Sequence, residues 1–147
     1  MTTTWKYLAA PACALVWGCS SSECELNDDL RQFAGNAARD CGTVTVTDER
    51  TSTDACVVEA FEAGEPFIAR YERMGVDSEV VTAVASNSEG RIKVFQWDSA
   101  PCGGPGCDAV TDVRNCNEPS LNPAMSEDRD ALPIVCESEG LSERICG

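Results

Sequence analysis

Residues 67–97 read FIARYERMGVDSEVVTAVASNSEGRIKVFQW and contain three segments that are typical of β-strands. Phe67–Arg73, Glu79–Ser86 and Arg91–Trp97 are rich in the β-branched and aromatic residues that strands favour. Asn87–Gly90 has the length and composition of a four-residue hairpin loop. The stretch therefore predicts three sequential antiparallel strands, of which the last two carry apolar residues on both faces.

A helix is predicted upstream of these strands, over Leu26–Asp40. Asn27 is a favourable N-cap, and Leu30 and Phe33 begin a row of apolar residues at helical spacing. Gly42 stands where a glycine commonly ends a helix. The pattern indicates an amphipathic helix with one apolar face.

One more strand and one more helix are predicted before residue 67. Thr43–Thr47 alternates β-branched residues, and Asp54–Ala63 has a helical apolar face with Gly64 as its C-cap. Thr51 with Asp54 resembles a weakened capping box. The order of elements predicts an α+β fold, in which a helix packs on a roughly four-stranded antiparallel sheet.

The character of the chain changes at Asp98. Glycine, proline, asparagine and further cysteines are frequent in residues 98–147, where only Leu132–Cys136 resembles a strand. This part is predicted to be a loop-rich C-terminal extension that disulfides hold to the sheet. Residues 26–147 are accordingly predicted to form a single domain.

Residues 1–18 have the pattern of an export signal. Lys6 supplies a positive charge, and Tyr7–Gly18 is uncharged and close to the length of a signal's apolar core, about 7–15 residues. A membrane-spanning helix needs about 20 apolar residues, so this segment is too short to span. The segment could be an ordinary signal peptide that is cut near Ser20 and releases a secreted protein. A cytosolic chain, in which the segment is not an export signal, is also left open.

The end of the segment, Val16-Trp17-Gly18-Cys19, resembles the lipobox of bacterial lipoprotein signals. The resemblance implies cleavage before Cys19, lipidation of that cysteine, and a tether over residues 19–25. Ser20, directly after the cysteine, resembles the sorting pattern for the outer membrane of two-membraned bacteria. The resemblance thus implies a protein that is held at the outer membrane by its lipid.

Ten cysteines are present. The resemblance implies that Cys13 leaves with the leader and that Cys19 takes the lipid. An even number in an exported chain of this size predicts a disulfide framework. The cysteines that remain for it are Cys24, Cys41, Cys56, Cys102, Cys107, Cys116, Cys136 and Cys146. Local geometry suggests the pairs Cys102–Cys107 and Cys41–Cys56, and the other pairings stay open. No metal site is predicted, because the chain lacks both histidine and the C-x-x-C spacing that structural zinc sites favour.

The charge of the chain restricts its partners. The formal net charge is −14, and removal of Lys6 with the leader makes the remainder one unit more negative. Nucleic acids and anionic lipid surfaces require basic patches, so neither is a predicted partner. The acidic residues are dispersed, which favours a solvated, self-repelling surface.

The sequence contains no convincing catalytic motif. Without histidine, His-based triads and dyads are excluded, and no spacing selects one carboxylate pair, such as Asp77 with Asp98, for glycoside hydrolysis. Asp98, Asp108 and Asp112 lie in a loop region but lack EF-hand spacing, so they are interpreted as turn formers. Phe95 and Trp97 are interpreted as residues that seal the sheet rather than as an exposed binding surface.

These observations predict a protein that is not an enzyme and needs no cofactor. The favoured function is a binding or scaffolding module at the outer membrane, with an envelope or extracellular protein as its partner. The alternatives are a secreted inhibitor or decoy of an extracellular enzyme and, third, a His-free hydrolase that uses two carboxylates.

Overall fold

The computed structural model describes residues 24–104, 106–123 and 131–147. The predicted leader, the lipidation site Cys19 and the tether up to residue 23 lie outside the described residues. The described residues form two helices and seven strands, which are, in chain order, α1 (Leu26–Ala34), β1 (Arg39–Val44), α2 (Thr51–Ala63), β2 (Phe67–Met74), β3 (Glu79–Ser86), β4 (Ile92–Asp98), β5 (Val110–Leu121), β6 (Ile134–Glu139) and β7 (Glu143–Cys146).

The strands form one mixed sheet in the order β1-β2-β3-β4-β5-β6, and β7 also pairs with β5. The strand pairs from β2 onward are antiparallel, whereas β1 is parallel to β2. The α+β class is confirmed, but the expectation of four antiparallel strands is wrong. The parallel pair arises because α2 carries the chain back to the starting end of β1, as a crossover between parallel strands requires.

The C-terminal part is not the loop-rich extension that its composition predicted. β5 is 12 residues long, and its second half pairs with β6 while Thr111–Val113 pairs with β7. β6 and β7 therefore follow one edge of β5 and are interrupted at Gly140, whose amide donates to the Asn115 carbonyl at 3.0 Å. Leu141, within the interruption, is 96% exposed.

Side chains from both faces of the sheet are buried, and each face is covered by one helix. On one face α1 packs on Ile68, Ala83 and Phe95. On the other face α2 packs on Phe67, Ala69 and Val84. The neighbouring residues of β2, for example Phe67 and Ile68, thus belong to different cores, so the sheet is the middle layer of three.

The first helix is shorter than its apolar pattern predicted. It ends at Ala34, where Gly35 has a φ of 90°, and the chain then enters β1 at Arg39. Gly42 therefore does not end a helix but lies in β1, with a φ of 93° that a side chain would disfavour. The ladder from β1 to β2 shifts its register between Asp40 and Thr43, so Gly42 marks a bulge.

Of the predicted capping residues, Gly64 is confirmed as a C-cap, whereas the predicted N-caps are not. Gly64 adopts the left-handed conformation at the end of α2, as expected. The N-cap residues are Glu25 and Arg50, and neither side chain makes a capping hydrogen bond. Asn27 instead accepts a hydrogen bond from Arg70 at 2.7 Å.

Asp40 joins α1, β1 and β2 by charge. It receives hydrogen bonds from Arg31 and Arg70, each at 2.9 Å, and from the Gly42 amide at 3.0 Å. Burial alone would raise the pKa of Asp40, but the bonds from Arg70 and Gly42 and the charges of both arginines together lower it. The carboxylate therefore stays ionised and fixes the bulge.

All eight predicted disulfide cysteines are paired. The pairs Cys41–Cys56 and Cys102–Cys107 were suggested by the sequence and are confirmed. Cys24–Cys146 joins the two ends of the described chain across 122 residues of sequence, and Cys116–Cys136 joins β5 to β6. The disulfides therefore hold both the ends of the domain and its C-terminal edge.

Asp29 of α1 is an ionisable group at the boundary between helix and sheet. Its Oδ2 atom and the hydroxyl of the fully buried Thr111 have no hydrogen-bond partner among the described residues. Burial raises the pKa of Asp29, and the charge of Asp28 adds to this, while the nearby Thr111 hydroxyl opposes it without completing a well-formed hydrogen bond. Ionised Asp29 is therefore less favourable in the folded protein than in the unfolded chain.

We expect Asp29→Asn to change the pH dependence of stability. Because the folded pKa lies above the unfolded value of 3.8, ionisation of Asp29 reduces stability progressively as pH rises from 3.8 through the folded pKa. The free energy of unfolding of the variant should therefore increase relative to that of wild type as pH rises. Chemical denaturation at intervals from roughly pH 3 to pH 7 measures the difference.

Asp28→Asn is the matched control, since Asp28 is exposed in the same helical turn and its loss removes the same interaction with the helix dipole. The control should gain less than Asp29→Asn does with rising pH, because it removes only the contribution of the Asp28 charge to the raised pKa of Asp29. An equal gain in both variants, or none in Asp29→Asn, would contradict the assignment to the half-buried Asp29.

Candidate functional site

Asp98 and Asp112, two of the three aspartates that were considered as calcium ligands, are used elsewhere. Asp112 accepts hydrogen bonds from Arg144 at 3.2 and 3.3 Å, and Asp98 accepts one from the Ala100 amide at 2.9 Å. Within residues 24–104, 106–123 and 131–147, no group of three His, Cys, Asp or Glu side chains is placed to hold a metal ion. These aspartates therefore act as turn and ion-pair residues.

Phe95 and Trp97 seal the sheet, as interpreted from the sequence. Phe95 is 2% exposed, and its ring centroid lies 5.9 Å from that of Phe33 on α1. The indole of Trp97 donates to the Cys24 carbonyl at 3.0 Å. Both aromatic residues thus fix α1 and the start of the domain on the sheet.

A buried charged cluster lies at the start of α2, on the other face of the sheet. Arg50 donates to Asp54 through two nitrogens, at 2.6 and 3.2 Å, and the Tyr71 hydroxyl donates to Asp54 at 2.9 Å. Asp54 is 6% exposed. Arg50 also lies over the Tyr71 ring and donates to the Ala131 carbonyl. The cluster therefore joins the loop before α2, the helix itself, β2 and the segment before β6.

The cluster is a hydrogen-bonded network that joins α2 to β2. Burial raises the pKa of Tyr71 well above its ordinary range, and the charge and hydrogen bond of Asp54 add to this while Arg50 opposes it. The hydroxyl therefore remains a hydrogen-bond donor near neutral pH. Asp54 accepts hydrogen bonds from both Arg50 and Tyr71, which hold its carboxylate between α2 and β2.

An open cleft of about 650 Å³ lies above this cluster and is called the α2 cleft here. Arg50, Thr51 and Tyr71 line its floor together with residues of the strand β1 and the loop after it. Glu72, Arg73 and Met74 of β2 complete its lining. The cleft thus offers a rigid aromatic and guanidinium floor with acidic and apolar sides, which is an arrangement suited to binding.

A second cleft of about 610 Å³ adjoins the first, with Arg73 and Ala131 lining both. It lies on the part of the sheet beyond α2 and includes Thr82, Gln96 and Arg114. Arg73 donates to the Thr82 hydroxyl at 3.0 Å, and Arg114 pairs with Glu139. Three arginines, at positions 50, 73 and 114, therefore line one continuous side of a strongly acidic protein.

The β2–β3 hairpin tip projects beside the α2 cleft and is apolar. Met74 is 86% exposed and Val76 is 98% exposed, and Val46, which also lines the cleft, is 39% exposed. Asp77 and Glu79 follow directly in the chain and are exposed. Exposed apolar side chains next to a cleft are typical of contact surfaces between proteins.

Sequence reasoning missed the cluster, although one local signal was present. Arg50 and Asp54 are four residues apart, which is the spacing of an ion pair on a helix. Asp54 was interpreted only as part of a capping box. The contribution of Tyr71 carried no local signal, because it depends on β2 running parallel to β1 beneath α2.

No protein-family model matches this chain, and no curated protein or solved structure matches it either. Neither of the helices in the described part of the chain is long and apolar enough to cross a bilayer. The functional inference therefore depends on the contacts within this chain.

We expect Tyr71→Phe to destabilise the fold by about 1–2 kcal/mol, since it removes one hydrogen bond to a buried carboxylate. Asp54→Ala should cost more, about 3–5 kcal/mol, because it removes the carboxylate that pairs with Arg50 and accepts from Tyr71. Urea denaturation of the oxidised proteins measures both changes.

Glu89→Ala is the control, since it breaks an exposed ion pair with Arg91 and should change stability by no more than about 1 kcal/mol. If Asp54→Ala behaved like Glu89→Ala, the cluster would not hold the elements around the cleft together.

Proposed function

We propose that this protein is a non-enzymatic binding module of the bacterial envelope, held at the outer membrane by a lipid on Cys19. The α2 cleft, with the β2–β3 hairpin tip at its side, is its contact surface for a protein partner. The observation that carries the proposal is the combination of a fully engaged charged cluster beneath the cleft with exposed apolar side chains beside it.

The location outside the cytoplasm is supported by the disulfides. Four bridges form from eight cysteines, and such frameworks persist in oxidising compartments. The residues around Cys19 resemble a lipobox and add the membrane anchor. Burial of acyl chains at about 0.8 kcal/mol per CH₂ would hold the domain at the membrane surface.

Rigidity supports a role in binding. Cys41–Cys56 joins β1 to α2, and Arg50 links α2 to β2 and to the segment before β6. The walls of the cleft are therefore fixed before a partner arrives. A surface that is already ordered loses less conformational entropy on association.

The hairpin tip also favours the second candidate, an inhibitor or decoy of an extracellular enzyme. Met74 and Val76 are nearly fully exposed at a tight turn, where Gly75 lies so close to Ser78 that an added Cβ would come within 2.3 Å of the Ser78 carbonyl oxygen. A stiff, apolar tip is a suitable shape for insertion into a concave site. In that case the partner would be an enzyme, and the tip would contact its active site.

Intact mass of the protein from membranes tests the anchor. We expect a chain that starts at Cys19, carries acyl mass and gains eight protons on reduction. Cys19→Ala should move the protein from the membrane fraction to a soluble one, while the four disulfides remain. A wild-type chain without acyl mass would contradict the anchor and leave plain secretion.

Photo-crosslinking in the producing cell tests the contact surface. A photoreactive residue at Val76 should give a discrete adduct, and Met74→Glu should weaken it at least about tenfold by placing a charge in the contact. Leu141 is the matched control site, since it is equally exposed but lies at the far edge of the sheet. Equal adducts from both sites would contradict a specific surface at the tip, whereas an adduct within an enzyme's active site would favour inhibition.

A further inference from the structure

We propose that Cys102–Cys107 is a thiol–disulfide exchange site, at which an external thiol attacks Cys102 and displaces Cys107, while the other three disulfides keep the fold. The inference goes beyond the proposed binding function and does not depend on it. It follows from three properties of this bridge, namely its exposure, its hydrogen bonding and its separation from both cores.

The first property is access. Cys102 is exposed and Cys107 is half-buried, in the loop that joins β4 to β5. Of the eight bridged cysteines, Cys102 alone is in the exposed class. An attacking thiolate must approach a disulfide sulfur in line with the S–S bond, so exposure of one sulfur directs where attack occurs. The accessible sulfur here is that of Cys102.

The second property concerns the sulfur that leaves. The backbone amide of Cys102 donates to Cys107 Sγ at 3.1 Å. When the bond breaks by attack on Cys102, negative charge develops on Cys107, where this N–H group is already aimed. A hydrogen bond from an N–H group stabilises the negative charge of the departing thiolate, so the thiolate leaves more readily. Exposure and hydrogen bonding therefore favour the same direction of attack.

The third property is that the bridge joins no two elements of the cores. Its cysteines are 5 residues apart, whereas the other pairs are separated by 15, 20 and 122 residues. Short loops lose little entropy on closure, so a short bridge contributes least to stability. The other pairs link β1 to α2, β5 to β6, and one end of the described chain to the other. Opening of Cys102–Cys107 thus leaves those connections intact.

The exchange is balanced with an external dithiol as reductant. Its thiolate forms a bond to Cys102 Sγ as the Cys102–Cys107 bond breaks, and Cys107 takes the electron pair as a thiolate. The second thiol of the reductant then displaces Cys102, which leaves two protein thiols and an oxidised dithiol. The reverse sequence returns the disulfide, so the site can pass two electrons in either direction.

Graded reduction of the purified, oxidised protein tests the proposal. After timed exposure to dithiothreitol and acid quenching, alkylation and peptide mapping show which cysteines have opened. We expect Cys102–Cys107 to open at least about tenfold faster than any other pair, with unchanged far-ultraviolet circular dichroism. Another pair opening first, or loss of structure in the same step, would overturn the proposal.

Reduced glutathione in place of dithiothreitol tests the direction of attack. Acid-quenched samples should carry glutathione on Cys102 with a free thiol on Cys107, and glutathione found mainly on Cys107 would overturn the assignment. The matched variant Cys102→Ser with Cys107→Ser should keep the other three bridges and lose the fast phase. A fast phase that survives in this variant would show that the reactive bridge is another one.

Discussion

The central strand β3 is buried on both of its faces, and the rest of the structure depends on that constraint. Val81, Ala83 and Ala85 face one core, and Val84 faces the other. Since neither face can be left to water, the chain must supply a cover on each side of the sheet. Helix α1 covers one face and α2 covers part of the other, while the segment around Leu132 and Ile134 packs at the edge of the α2 core.

The sequence predicted β2, β3 and β4 closely, whereas β1 begins at Arg39 and ends at Val44, earlier than the predicted Thr43–Thr47. β3 has the expected bounds, β2 extends one residue further than predicted, and β4 is shifted by one residue at each end. β5 was missed because Asn115, Asn117 and Pro119 are poor strand formers, and its pairing with β4 and the Cys116–Cys136 bridge determine its conformation. The direction of β1 could not be predicted either, because the residue pattern of a strand does not indicate whether its neighbour is parallel or antiparallel.

The cleft was harder to predict than the disulfides for a physical reason. Cysteine number and short spacing restrict pairing directly, which is why Cys41–Cys56 and Cys102–Cys107 could be suggested in advance. The α2 cleft instead needs Arg50, Tyr71 and Ala131 to meet, and these come from three distant parts of the chain. Only the parallel crossover through α2 places these residues together. The cleft could therefore be recognised only once the topology of the sheet was known.

The edges of the sheet explain why partner contact is assigned to a face and a hairpin tip rather than to strand addition. β1 carries a bulge between Asp40 and Thr43, and the opposite edge is interrupted at Gly140 between β6 and β7. Exposed Glu137, Glu139 and Glu143 line that second edge. Bulges, interruptions and charges are the means by which proteins prevent edge strands from pairing with another chain. With a net charge of −14, two copies would also repel each other. This protection of both edges supports the proposal that a partner contacts the exposed Met74 and Val76 beside the α2 cleft rather than an edge strand.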